Sequence, residues 1–169
     1  MTFTLNRTSL MEFSRSNKAA MLLMDQGTSD YVGCRCCLSN GVFSGLELGA
    51  QAVEKHLKAM LLFAKPGNNA RSFNHKLPLL VSAVQAEGIA DLSGHIETIK
   101  KLQGHYQSRY PDNTGKATSA STDELQIIDE LMHDILDRMP VPEEVLLRSG
   151  VYTRAIASSE GRPVFPDEH

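Results

Sequence analysis

Apolar side chains recur along most of the chain at spacings of three and four, and no stretch sustains the two-residue alternation of a half-buried strand. The clearest case runs through the segment Glu47–Lys65. Leu46, Ala50, Val53, Leu57 and Leu61 fall on one face of a helix, and Met60, Leu62 and Phe63 widen that face enough to meet more than one neighbour. Glu54 and Lys58 stand at i and i+4 on its flank, and Pro66-Gly67-Asn68-Asn69 ends it. Before it comes a weaker amphipathic stretch at about 9–24. The cluster Gln26-Gly27-Thr28-Ser29 reads as a turn whose Thr28 or Ser29 would cap a second short helix from about Asp30, carrying Tyr31, Cys34 and Leu38. Ser39-Asn40-Gly41 interrupts that element.

Downstream, Leu77, Leu80, Val81 and Val84 share a helical face, with Pro78 in the opening turn and Gly88 at the end. Asp91 opens another helix whose stripe is Leu92, Ile96, Ile99, Leu102, Tyr106 and Tyr110, stopped by Pro111. Gly94 and Gly104 weaken it unless close packing explains them. After the polar connection 113–123, Ser121 and Glu124 form a capping box for a helix carrying Leu125, Ile128, Met132, Ile135 and Met139. A short helix is expected over 143–157 and a mobile tail over 158–169. The pattern predicts one all-α domain over 1–169, an antiparallel bundle of four or five helices with the 46–63 helix at its centre.

Composition narrows the functional classes. The chain has 169 residues, 41% hydrophobic and 22% charged, which suits one compact domain. No apolar run is long enough to span a bilayer, and the N-terminus lacks a basic segment followed by an apolar core, so a cytoplasmic protein without a membrane partner is expected. The net charge of −3 is unevenly spread, with five Lys/Arg against two Asp/Glu over 41–81 and five against ten over 82–140. Bulk attraction to nucleic acid is not expected, although a local basic face is. Cys34, Cys36 and Cys37 lie within four residues and read as small buried side chains, because nothing elsewhere completes a zinc site or a disulfide framework.

No phosphate loop, His-x-x-x-His pair or nucleophile elbow is present, and no metal or cofactor is expected. The histidines therefore carry the candidate chemistry. His56 reads as an ordinary surface side chain on the flank of the central helix. His133 and His169 have no constellation around them. His95 and His105 stand about 15 Å apart along a helix and cannot share one metal ion. His75, with Arg71 before it, stands at a helix start, where an imidazole either locks the turn against loop carbonyls or meets a ligand. His105 and Arg109 lie one turn apart with Tyr106 and Tyr110 beside them, so this helix end combines an imidazole, a guanidinium and aromatic faces. The alternative for Arg109 is to cap the helix and pair with a carboxylate.

Three segments in order carry a resemblance: Ala50–Phe63 (AQAVEKHLKAMLLF), His75–Val81 (HKLPLLV) and His105–Asp112 (HYQSRYPD). Over about 30–136 the sequence resembles the HEPN family of small helical-bundle proteins. The resemblance implies a homodimer. It also implies one of two activities: metal-independent RNase action in toxin–antitoxin or defence systems, or binding of a nucleotide or phosphorylated ligand beside a nucleotidyltransferase partner. Family RNases use an arginine separated from a following histidine by four to six residues; here only three residues separate Arg71 from His75, and His105 precedes Arg109. The Tyr106, Arg109 and Tyr110 pattern is similar to that of the binding members. The expected function is thus ligand binding through Arg109, Tyr106, Tyr110, His75 and Arg71, with Lys55 and Lys58 as a basic flank. In the RNase alternative His105 and Arg109 are catalytic, and a third alternative is a purely structural interaction dimer.

Overall fold

A computed structural model of the chain describes residues 7–107, 122–142 and 145–146. These residues form six α-helices: α1 (Arg7–Ser16), α2 (Lys18–Ser39), α3 (Ser44–Ala64), α4 (Leu77–Ala86), α5 (Ile96–Gln107) and α6 (Thr122–Asp137). Single turns of 3-10 helix at Ala70–Phe73 and Ser93–His95 lead into α4 and α5. No strand occurs among the described residues, and the molecule is an all-α bundle. The segments 108–121, 143–144 and 147–169, with the expected helix stop at Pro111, the proposed cap at Ser121, most of the expected last helix and the tail, lie outside the described residues.

Helix α3 sits at the centre, as its wide apolar stripe requires, packed against α2, α4, α5 and α6. Leu46, Val53, Leu57, Met60 and Leu61 are fully enclosed. Its partners contribute Met24 and Leu38 from α2, Leu80 and Val84 from α4, Ile99 and Leu102 from α5, and Ile128 and Ile135 from α6.

The expected turn at Gln26-Gly27-Thr28-Ser29 is instead the interior of α2, a single helix of 22 residues. Thr28 Oγ1 donates to Met24 O at 2.9 Å and Ser29 Oγ to Asp25 O at 3.1 Å, so both hydroxyls are satisfied without leaving the helix. Gly27 is there for packing: a Cβ at that position would stand 2.6 Å from His56 Nδ1. The irregularity falls earlier, at Asn17, yet Asn17 N still donates to Phe13 O and Met21 N to Asn17 O, so the helical ladder continues from α1 into α2.

Both α2 and α4 stop where the sequence indicates. Gly41 (φ +68°) follows α2, with Gly41 N donating to Leu38 O and Val42 N to Cys37 O, the paired bonds of a Schellman cap. Gly88 (φ +67°) ends α4 the same way, with Gly88 N bonded to Gln85 O and Ile89 N to Val84 O. At the start of α4, Leu77 N donates to Gln103 Oε1 of α5 at 2.7 Å, a cap supplied from across the bundle. The expected long helix from Asp91 is shorter, because Asp91 Oδ1 accepts from Ser93 N and holds a 3-10 turn in front of Ile96.

Close helix approach centres on α2 and α3, with Ile128 of α6 also close to Gly49. Added Cβ atoms at Gly27, Gly45 and Gly49 would meet side chains or backbone of the facing helix, whereas at Gly94 and Gly104 nothing lies within 4 Å. The glycines of the α5 region therefore do not serve close packing.

Candidate functional site

The expected site residues fall into two groups on different sides of α5. The first forms around Glu54 of α3. Its side chain is nearly enclosed, and its two oxygens accept from Lys58 Nζ at 2.6 Å and from His75 Nδ1 at 2.9 Å. Asn74, in the left-handed region at φ +47°, turns the chain so that His75 reaches α3 just before α4 begins. His75 thus pairs with a carboxylate of the central helix, and more than half of its imidazole faces solvent. Arg71 belongs to the 3-10 turn four residues earlier. Lys55 points the other way and ion-pairs with Asp30 of α2. The expected basic flank is therefore two lysines, each already held against a carboxylate.

The second group lies at the end of α5. His105 meets the ring of Phe43, the residue preceding α3, edge to face at a centroid distance of 5.2 Å. One turn back, Lys101 Nζ contacts Glu124 Oε1 of α6 at 2.9 Å, and the Glu124 side chain is almost fully buried. Partial burial lowers the pKa of His105; nearby Glu124 opposes this shift and Lys101 adds to it. Gln103, two residues before His105 and so about 200° around the helix, faces α4 instead. Phe43 and Glu54 are about 16 Å apart along α3, so the His75 and His105 groups do not form one pocket. Tyr106 lies in the last turn of α5. Arg109 and Tyr110 lie outside the described residues.

Three expectations about single residues change. His56 is not a surface side chain but fully buried at the α2–α3 contact, where Gly27 makes room for it. Its Nδ1 lies 2.8 Å from Ala52 O, and its Nε2 lies 3.5 Å from Thr28 Oγ1. Desolvation pushes its pKa down to about 4, against the smaller opposing effects of Ala52 O and Asp30. Of the three free cysteines only Cys34 is buried, with its thiol pushed up to about 12 by desolvation; Cys36 is exposed and Cys37 half-buried. His133, expected to have no constellation around it, does have a partner, with Nδ1 at 3.2 Å from Asp137 Oδ2, and His95 Nε2 lies 2.7 Å from Asp134 Oδ2.

Sequence reasoning missed Glu54 as a shared partner and Phe43 as the ring against His105. The i,i+4 spacing pointed to Glu54–Lys58, but the third member comes from a loop 21 residues away. Phe43 stands outside every apolar stripe, and no local signal marks it.

No group of three His, Cys, Asp or Glu side chains suited to a metal ion occurs among the described residues, and none of their helices is long and apolar enough to cross a membrane. No protein-family model, curated protein or solved structure matches the chain.

Proposed function

We propose that the chain is a HEPN-like module that binds a nucleotide or another phosphorylated ligand at the end of α5, acting as a homodimer with a nucleotidyltransferase partner. The observation that carries this reading is His105, desolvated against Phe43 beside the Lys101–Glu124 pair and four residues before Arg109 in the sequence. A guanidinium at this position supplies fixed donors for phosphate oxygens, and Tyr106 and Tyr110 supply planar surface for a base. The homodimer rests on the family resemblance alone: the apolar breadth of α3 is used inside the protomer, and none of the large exposed hydrophobic residues lies on it.

One feature favours a second reading, metal-independent RNA cleavage. Partial burial favours the neutral imidazole of His105, the form able to take a proton from a ribose hydroxyl, with Arg109 stabilising the pentavalent phosphate. The order His105 before Arg109 is the reverse of the family RNases and ranks this reading second.

Calorimetry with a panel of nucleotides tests the first reading. Binding is expected, and Arg109→Ala should weaken it by about 1.5–3 kcal/mol, the worth of a lost charged hydrogen bond, with helix content unchanged. Cleavage of single-stranded and structured RNA without added metal tests the second. No nucleotide binding together with turnover that disappears in His105→Ala would replace the first reading with the second; failure of both assays would leave an interaction dimer.

A further inference from the structure

Because the helical ladder continues through Asn17, positions on α1 and on the first half of α2 share one register. Met11, Arg15, Lys18 and Leu22, at intervals of four, three and four, form a single solvent-facing stripe about 16 Å long. Its ends are apolar and open, with Met11 50% and Leu22 55% exposed. Its middle is cationic, and the exposed Ala19 beside Lys18 adds no bulk that would keep a partner away from the two charges.

This stripe differs from the rest of the described surface in its pairing. Apart from Lys76, the other described lysine and arginine side chains each contact a carboxylate. Arg15 and Lys18 contact none among the described residues. The opposite excess lies on the solvent face of α6, where Asp123, Glu130 and Asp137 recur every seven residues over about 21 Å. Asp123 and Glu130 contact no lysine or arginine among the described residues, and half-exposed Ile127 borders the row.

We propose that the Met11–Leu22 stripe of one copy docks on the acidic face of α6 of a second copy. The ion pairs would set the register, while Met11 and Leu22 flank them and one of the two approaches Ile127. The stripe is a poor match for itself: laid antiparallel on its own copy, it would set Arg15 and Lys18 against the same two cations. RNA would use the cations but leave Met11 and Leu22 without apolar contacts. A contact between two different surfaces closes as a two-fold pair only if both contacts form at once, and otherwise grows as a ring or chain.

Sedimentation of the full chain tests the proposal. Raising salt from about 50 mM to about 500 mM shortens the screening length to about 4 Å and should weaken the association about tenfold. Arg15→Glu/Lys18→Glu and Glu130→Lys/Asp137→Lys should each abolish the salt-sensitive species while keeping the native circular dichroism. An equimolar mixture of the two variants should recover it, since the reversed charges again face opposite ones. RNA binding that Arg15→Glu/Lys18→Glu abolishes, without any self-association of the unaltered chain, would assign the stripe to nucleic acid and overturn the contact. So would an unaltered chain that stays at 18.6 kDa at low salt. An oligomer unchanged in either variant, or a mixture that fails to associate, would also overturn it.

Discussion

The α2–α3 seam and the end of α5 each hold a histidine against apolar side chains, but with opposite consequences. In the seam, helices approach closely over Gly27, Gly45 and Gly49, and His56 is sealed between them with both ring nitrogens near helix-borne oxygens. At the end of α5, His105 touches one aromatic edge, stays partly open, and neighbours an ion pair between two helices. A sealed imidazole specifies packing; a half-open one beside charges is available to a ligand. The residue type alone does not separate these roles. What separates them is whether the opposite helix leaves room for water.

The largest effect is expected inside the seam's own helix. Leu57 is fully buried on α3, so Leu57→Ala should destabilise the fold by about 2–5 kcal/mol through lost transfer energy and a residual cavity. Urea denaturation measures this. A loss under about 0.5 kcal/mol would mean that the core relaxes around the gap, contrary to the dense packing described above.

Acid sharpens the contrast between the two histidines. Above the ordinary histidine pKa of about 6.5, His56 is neutral in both folded and unfolded chains and carries no pH dependence. Below it the unfolded chain binds a proton that the folded chain resists down to about pH 4, so stability falls as pH drops through this window and then levels off. The loss is on the order of 3 kcal/mol at most. His105 contributes in the same direction and less, because it is only partly buried. Asp134 and Asp91 act lower, since hydrogen bonds hold their carboxyls below the usual range and their contribution is lost only as they protonate. Denaturation midpoints between pH 7.5 and 4 should therefore flatten strongly in His56→Leu and barely in His105→Ala. Equal flattening in both would remove the distinction between the two sites.

The same contrast explains what could be read from the sequence. Period alone located α3, α4 and the apolar face of α6, because their stripes contact continuous neighbours. It failed at Gln26-Gly27-Thr28-Ser29, where residues that make turns in isolation satisfy a helix from within: two hydroxyls bond back one turn, and a glycine accommodates an imidazole from a distant part of the chain. Nothing local to Gly27 reports His56. Similarly, Lys55 and His56 are neighbours in sequence but on α3 one ion-pairs with Asp30 while the other enters the core. The candidate site was legible as residue types at the end of α5, but its division from the Glu54–His75–Lys58 group was not, since that depends on which helix faces Gln103 and which faces His105.

Glycine-to-alanine exchanges give the smallest effects, and they should differ in sign between the two regions. In helix interiors the exchange ordinarily stabilises by about 0.5–1 kcal/mol, because alanine has less backbone freedom to lose. At Gly45 the new Cβ would stand 2.6 Å from Leu38 Cγ and 2.9 Å from Cys34 O. A leucine can shift, but a helical carbonyl moves only with its helix, so overpacking should reverse the gain into a loss of about 1–3 kcal/mol. At Gly104 a Cβ meets nothing within 4 Å, and the residue lies inside α5 without a left-handed backbone, so the ordinary gain of about 0.5–1 kcal/mol should be realised there. Urea midpoints should move down in Gly45→Ala and up in Gly104→Ala, with the denaturant dependence of each transition unchanged. A loss at Gly104 would show that the end of α5 is packed as tightly as the seam, and the division between a sealed and an open histidine would fall with it.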